Sequence, residues 1–457
     1  MSVQVPDWAE FSSLDARVAI VEAKPDLSAD VVSLGDRTLI LEAQASGLLS
    51  GQADLYGRVA ALEAKPDRPW EVVVAGYDDA AVQAAVAEVL SGRIGNAVQR
   101  KLIFPPGVYN LTQPVIDSLD TNHEMIEGLV IEGMGFRSTR INWVPSTPGP
   151  MIRAVRRLRF FRMEGFTITS SNAGNEFAYL VSDTSGGYNQ AWTFRHVEWQ
   201  GSWLRVIGLD GGSTANLNSE FLLDRCSTAS NSVFADAFFR SGGISGTFNQ
   251  QNQFLNYTVR DCFFTVKSGA VFRFDKGGSI TVQGGSWSCA NGTDGPVTWF
   301  LMPNSNANNR SACQLHVDRV RFEPKANDHL IIDCHWGTGS VEFSNCCDLS
   351  SLQGDPAVVN QYALHRYTAQ APWGSGVGGT LPSVRYVNHQ GVGHHEVAGA
   401  AYPVGRGGLL YDGSYFYRGT GGQTATAADA LTWTGGTPRY EFIRCDNVAD
   451  QKVWLTP

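Results

Sequence analysis

The chain repeats an eight-residue pattern between Leu129 and Asp348, in which two inward residues, a polar corner and two further inward residues follow one another. Strand side chains alternate between two faces, so this phase jump indicates a corner between two short strands that share one core. Only Thr228, Gly285 and Asp348 among the inward positions are not apolar. The eight copies are Leu129-Ile131-Met134-Phe136, Phe161-Met163-Phe166-Ile168, Trp192-Phe194-Val197-Trp199, Phe221-Leu223-Cys226-Thr228, Tyr257-Val259-Cys262-Phe264, Ile280-Val282-Gly285-Trp287, Leu315-Val317-Val320-Phe322 and Val341-Phe343-Cys346-Asp348.

The copies recur roughly every 30 residues, a spacing typical of solenoids whose coils bury a core only by stacking on their neighbours. The pattern therefore predicts an all-β fold, a right-handed parallel β-helix over residues 71–372. A helix beginning near Asp78 or Asp79, followed by a buried strand from Lys101, is expected to cap its open end. After a glycine-rich linker at 373–380, short strands predict a small antiparallel C-terminal domain within 373–457.

Residues 1–70 have a different pattern, rich in Ala, Leu, Glu and Arg, with apolar residues at coiled-coil spacing. Two segments resemble the Arg-apolar-x-x-apolar-Glu trimerisation motif, in which an arginine stem covers a core residue and its guanidinium pairs with a neighbouring glutamate. We expect this region to attach the protein to a particle and to form a homotrimer; the alternative is an amphipathic helix packed on its own chain. The motif residues are Arg17, Val18, Val21, Glu22, Arg58, Val59, Leu62 and Glu63.

The composition narrows the class of partner. The 457 residues carry a formal net charge of −9, which argues against nucleic acid or an anionic membrane as the main partner. No apolar window is long enough to span a membrane, and we expect no secretory signal. Cys226, Cys262 and Cys346 share one inward position and are expected to act as small apolar residues in a reducing cytoplasm. We expect no metal site and no cofactor.

The candidate chemistry is sparse. Asp210, Asp275 and Asp333 each end a strand before a glycine, and stacked coils could bring two of them together as a weak glycosidase candidate. The alternative is a turn role, in which the carboxylate accepts local backbone N–H groups. Trp203, Trp299 and Trp336 lie outside the repeated pattern and are candidates for stacking on sugars, or else for filling the core or a trimer interface.

The helix with its Pro-Pro-Gly-Val-Tyr strand, and the ladder of repeats, resemble the pectate-lyase-like β-helices. With the coiled-coil motifs, the chain resembles bacteriophage tailspikes and other receptor-binding spikes. The resemblance implies a virion protein made in the host cytoplasm, attached through its N-terminus to a capsid or tail protein, that binds capsule or lipopolysaccharide.

The catalytic sets of the β-helix polygalacturonases and pectate lyases are missing from the sequence, so no catalytic residue is transferred. Three hypotheses remain: a receptor-binding spike, non-enzymatic or of unproven enzymatic activity, that binds bacterial surface glycan; a polysaccharide depolymerase acting as hydrolase or lyase; and a structural spike or decoration protein. The first is preferred, and whether the protein is an enzyme stays open.

Overall fold

The repeated pattern folds into a right-handed parallel β-helix in which each coil contributes strands to three faces. The computed structural model describes residues 70–442 except 120–122, 156, 182–187, 211–216, 246–255, 276–277, 291–294, 304–313, 325–328, 337–338, 349–363, 369–381, 392–393, 399–407, 413–414, 417–430 and 435–439. The predicted trimerisation residues, from Arg17 to Glu63, therefore lie outside the described residues.

Four long strands run around corners from one face to the next. Arg162–Ser171 and Ser279–Cys289 cover the first and second faces, and Tyr188–Asp210 and Tyr257–Phe274 cover all three.

The other strands each belong to one face. The first face adds Glu71–Val73, Lys101–Phe104, Val130–Gly133, Leu217–Asp224, Gln314–Asp318, Ser340–Ser344, Ser383–Val387, Gly408–Asp412 and Tyr440–Phe442. The second adds Gly107–Leu111, Thr139–Trp143, Ser227–Thr228, Arg321–Glu323, Cys347–Asp348, Gln390–Gly391 and Tyr415–Phe416. The third adds Ile116–Asp117, Pro150–Ala154, Glu176–Val181, Ser232–Ser241, Val297–Met302, Leu330–Cys334, Leu364–Thr368, His394–Ala398 and Leu431–Thr434. Met125–Glu127 and Arg157–Arg159 form a separate parallel pair.

The register of the strands confirms the inward positions of the pattern. One position on the first face is filled by successive apolar side chains that are paired coil by coil and buried: Ile131, Met163, Phe194, Leu223, Val259, Val282, Val317 and Phe343. Aromatic rings continue the stacking within the core, as where Phe343 and Tyr386 lie parallel with centroids 5.3 Å apart. Cys226, Cys262 and Cys346 are buried in the core, as predicted.

The corner between the first and second faces has one backbone conformation repeated along the solenoid. The second corner residue of successive coils has a positive φ, between 48° and 79°, in Gly165, His196, Arg225, Asp261, Gly284, Arg319, Asn345 and Asn388. This left-handed residue reverses the alternation of side chains and so produces the phase jump seen in the sequence. Most of these residues are not glycine, which is why the sequence shows the corner and not its conformation.

For the first copy of the pattern, the prediction that the third and fourth positions face inward is wrong. Met134 and Phe136 are 59% and 42% exposed, and the next strand of the second face begins only at Thr139. Ile141, rather than Phe136, pairs with Ile168 in the following coil. The corner of this coil is longer than the others, and its apolar alternation matched the pattern by chance.

The cap forms as predicted. The helix Asp79–Ser91 begins after Asp78, whose carboxylate accepts a hydrogen bond from the backbone N–H of Ala81 at 2.9 Å. Asp79 reaches instead to the backbone N–H of Thr112, also at 2.9 Å, and so ties the helix to the first coil. Val82, Val86 and three other buried side chains of the helix cover the core end.

The described strands of the C-terminal region pair in parallel, which differs from the antiparallel pairing expected there. Leu364–Thr368 pairs with Leu330–Cys334 and with His394–Ala398, and Ser383–Val387 pairs with Gly408–Asp412. They continue the faces of the solenoid. Short alternating strands have the same sequence pattern in either arrangement, because the periodicity of two does not depend on strand direction. The predicted linker lies outside the described residues.

Candidate functional site

The three tryptophans that were candidates for stacking on sugars are core residues. Trp203 and Trp299 are completely buried and Trp336 is 2% exposed. The indole N–H of Trp203 donates to the carbonyl of Gln200 at 2.9 Å, and Trp299 packs against Trp287 with ring centroids 5.6 Å apart. Their burial excludes stacking on sugars for these side chains and favours the core-filling alternative that the sequence left open.

The three candidate aspartates all have structural partners. Asp210 is 1% exposed and accepts hydrogen bonds from the Tyr179 hydroxyl and the Ser245 backbone N–H, both at 2.9 Å. Asp333 lies 3.0 Å from Nε2 of His335. These contacts favour the structural alternative that the sequence left open.

Asp275 belongs to a network of ion pairs among strands of the third face, which we call the arginine–carboxylate network. Arg205 donates to Glu176 at 2.9 Å and to Asp236 at 2.7 Å. Its members lie on successive coils, far apart in sequence, so no local motif predicts them. The network consists of Glu176, Arg205, Asp236, Arg240, Arg273 and Asp275.

The electrostatics of the network match a structural role. Burial alone would raise the pKa of Asp236, but hydrogen bonds from Arg205 and Arg240 outweigh it and hold the pKa below its usual range. Burial raises the pKa of Glu176 in spite of its ion pair with Arg205. Because every carboxylate of the network is both largely buried and bonded to arginine, the group is arranged to fix neighbouring coils rather than to transfer protons.

A surface cleft of about 510 Å³ lies at the corner between the first and second faces, and we call it the corner cleft. Its floor is formed where two glycine backbones approach closely, since a Cβ on Gly165 would stand 2.6 Å from the carbonyl oxygen of Gly133. Side chains in place of these glycines would fill the concavity. The lining residues are Gly133, Gly135, Phe136, Glu164, Gly165, Arg195 and His196.

The long corner of the first copy builds one wall of this cleft. Three backbone N–H groups anchor it: Met134 to Thr139 Oγ1 at 2.9 Å, Gly135 to the Gly165 carbonyl at 3.2 Å, and Arg137 to Thr167 Oγ1 at 2.9 Å. The anchors hold the loop against the next coil and leave Phe136 at the surface. Phe136, one of the two residues that departed from the pattern, therefore supplies the exposed apolar part of the cleft.

Charged residues supply the polar part. Arg195 donates to Asp224 at 2.9 Å, and Arg260 donates to the other oxygen of the same carboxylate at 3.0 Å. The hydrogen bond from Arg260 holds the pKa of Asp224 below its usual range, and Arg195 adds to this effect. Glu164 accepts from Nε of Arg162 at 2.9 Å. The cleft thus combines an aromatic ring, an imidazole, a guanidinium and a carboxylate.

Sequence reasoning missed the corner cleft because its residues were assigned to the core or to ordinary corners. The signal that could have found it is the pair Gly133 and Gly135 beside Met134 and Phe136, since glycines on both sides of an apolar residue are unusual in a buried strand. Among the described residues, no group of three or more His, Cys, Asp or Glu is placed to hold a metal ion. No described helix has the length and apolar character to cross a membrane.

The chain matches no known family model, and no curated protein matches it. Among solved structures it is similar to ORF18 of Geobacillus virus E2, at 14% identity and a TM-score of 0.33 over 76% of this chain. It spans 64% of the length of that protein.

Two further solved structures are similar to the chain. The A-module of the Azotobacter vinelandii mannuronan C-5 epimerase AlgE6 has 13% identity and a TM-score of 0.32, over 75% of this chain and 95% of the module. The Agl-KA catalytic domain has 14% identity and a TM-score of 0.33, over 83% of this chain and 69% of the domain. The function of this chain has to be inferred from its own surface.

Proposed function

We propose that this protein is a spike of a phage or phage-like particle that binds bacterial surface polysaccharide, capsule or lipopolysaccharide, at the corner cleft. The proposal includes a homotrimer attached to the particle through its N-terminal region, for which the coiled-coil motifs ending at Glu22 and Glu63 are the support. The observation that carries it is the composition of the cleft. Exposed apolar rings pack against the C–H faces of sugars, while guanidinium, imidazole and carboxylate groups bond their hydroxyls.

The first test measures binding of the full chain to capsule and lipopolysaccharide from candidate hosts. Phe136→Ala is expected to weaken binding about three- to tenfold, because the ring contributes apolar contact that alanine does not. Phe160→Ala is the matched control: Phe160 is 52% exposed at the other end of the first face, outside the cleft lining and the corner between the first and second faces, and its loss should leave affinity unchanged. Equal loss in both variants would contradict a site at the cleft, and absence of binding to any host glycan would favour the structural-spike hypothesis.

A depolymerase is the second candidate function, and one observation favours it. Glu132 and Glu164 are direct partners on neighbouring parallel strands of the first face, each bonded to its own cation, Lys101 at 3.0 Å and Arg162 at 2.9 Å. Neighbouring strands lie roughly 4.8 Å apart, so two outward carboxylates in register approach the spacing of about 5–5.5 Å that a retaining glycosidase uses. Glu164 also lines the cleft.

If the protein cleaves its glycan, Glu164→Gln is expected to slow chain shortening at least about a hundredfold while binding persists, because an amide cannot act as acid, base or nucleophile. Size-exclusion chromatography of the polymer measures this. Glu342→Gln is the control, since Glu342 lies on the first face in a distant coil, 3.3 Å from Arg385. Bound but intact polymer with the unmodified protein would exclude the enzymatic candidate for that glycan.

A further inference from the structure

Arginines follow the corner between the first and second faces from the cleft onward, and we call them the arginine ridge. The ridge consists of Arg137, Arg195, Arg225 and Arg260 at the corner and of Arg140 on the adjoining strand of the second face. Arg137 belongs to the coil that forms the cleft wall, and Arg225 is the corner residue three coils further along. Coils are spaced about 4.8 Å apart, so the ridge extends roughly 20 Å parallel to the solenoid axis.

The ridge carries more positive charge than nearby carboxylates neutralise. Arg137, Arg140 and Arg225 form no ion pair with any carboxylate in the described part of the chain, and a single carboxylate, Asp224, serves both Arg195 and Arg260. Two of the remaining acidic groups beside the ridge are already engaged. Glu164 is paired with Arg162, and Glu198 is buried and bonded to Gln200 and Thr167.

Glu132, in register beside Glu164, is likewise paired, with Lys101 at 3.0 Å. Asp261 is the exposed corner residue in the coil after Arg225. It stands at the far end of the ridge from the cleft. The excess of positive charge is therefore concentrated at the end where Phe136 and His196 lie.

The ridge is accessible. The side chains of Arg195 and Arg260 are 40% and 43% exposed, and Arg137 and Arg225 are exposed at their corners. Arg195 both lines the corner cleft and belongs to the ridge, so the two surfaces are continuous. In a chain with a formal net charge of −9, this local reversal of sign attracts anionic groups that the rest of the surface repels.

We infer that the polysaccharide bound by this protein is anionic, carrying carboxylate or phosphate groups, and that it lies along the arginine ridge with one end in the corner cleft. This inference rests on the proposed polysaccharide binding and adds the chemical class of the ligand. A linear polymer is favoured because the arginines are spread along one corner over five coils, four of which contribute at least one. A glycan is favoured over nucleic acid because the overall negative charge opposes a duplex, whose charge is far denser.

The test compares polygalacturonate, hyaluronate and polysialate with their carboxyl-reduced forms, using the full chain in about 10 mM salt, where screening is weak. We expect at least one acidic polymer to bind, its reduced form to bind about tenfold more weakly, and binding to disappear at about 1 M salt. The double variant Arg137→Gln with Arg225→Gln is expected to weaken binding about tenfold. Arg319→Gln is the matched control: it occupies the same left-handed corner position, but it is ion-paired with Asp318 at 2.8 Å.

Each other outcome has a distinct meaning. Failure of all three acidic polymers to bind, or equal binding of charged and reduced forms, would overturn the inference. Host capsule or lipopolysaccharide could instead bind equally well before and after carboxyl reduction and phosphate removal. That result would overturn the inference of an anionic ligand but leave the proposed function standing. Failure of every host glycan would overturn the proposed function itself. If duplex DNA bound as tightly as the acidic glycans, the assignment of the ligand to polysaccharide would be overturned. If Arg319→Gln weakened binding as much as the double variant, the location of the ligand on the arginine ridge would be overturned.

Discussion

Asp236→Ala is expected to lower the free energy of unfolding by about 3–5 kcal/mol. Its carboxylate accepts hydrogen bonds from Arg205 at 2.7 Å, Arg240 at 2.8 Å and Arg273 at 3.0 Å, and the side chain is only 10% exposed. Removal of the carboxylate would leave three guanidinium groups with two acidic partners in a largely buried site. Urea denaturation followed by tryptophan fluorescence measures the change.

A surface ion pair provides the control for this prediction. Glu342 and Arg385 form a pair at 3.3 Å with side chains 29% and 48% exposed, so Glu342→Gln should cost no more than about 1 kcal/mol. A loss below about 1 kcal/mol for Asp236→Ala as well would show that the network does not stabilise the coils.

The effect of Asp236 also has a defined pH dependence. Because its pKa is lower in the folded chain than in the unfolded chain, its stabilisation is fully present above the unfolded pKa and is lost as the pH falls through the folded pKa. The difference in the free energy of unfolding between the unmodified protein and Asp236→Ala should therefore become smaller as the pH is lowered.

Gly285→Ala is expected to lower the free energy of unfolding by about 3–5 kcal/mol, or to prevent folding. Gly285 has a φ of +104°, and a Cβ there would stand 2.1 Å from the carbonyl oxygen of Cys262 in the preceding coil. Two stacked strands would have to separate to admit a methyl group, so the strain reaches beyond the substituted residue. Urea denaturation and circular dichroism measure the loss of structure.

Gly95→Ala separates the backbone effect from the steric one. Gly95 also has a positive φ, +62°, but no atom lies within 4 Å of a Cβ built on it. Alanine there should cost only about 1 kcal/mol, the penalty of a left-handed conformation. If the two alanine variants lost the same stability, close contact between coils would not be the reason for glycine at position 285.

Most of the solenoid could be predicted from the sequence because its core is encoded locally. The copies from Phe161 onward have the inward residues that the structure pairs coil by coil, and the capping aspartate was one of the two proposed. Met134 and Phe136 show the limit of this reasoning. A surface loop of the same length and alternation looks like a strand until its neighbour is known.

The candidate site could not be predicted in the same way. Trp203, Trp299 and Trp336 were candidates for stacking on sugars or for filling the core, and the structure places them in the core. The residues of the corner cleft were assigned to the core or to unremarkable corners. The sequence contained the glycines at 133 and 165, but not their approach to one another across two coils.

The sequence by itself determined the all-β class, the stacked coils, the corners and the helical cap, because side-chain alternation shows which face each residue of a strand takes. Only the tertiary structure decided which residues of different coils meet. Arg205 bonds to Glu176 and Asp236, 29 and 31 residues away, and Asp224 is shared by Arg195 and Arg260. The number of residues between coils varies, so the partner above or below a given side chain depends on the folded path of every intervening turn.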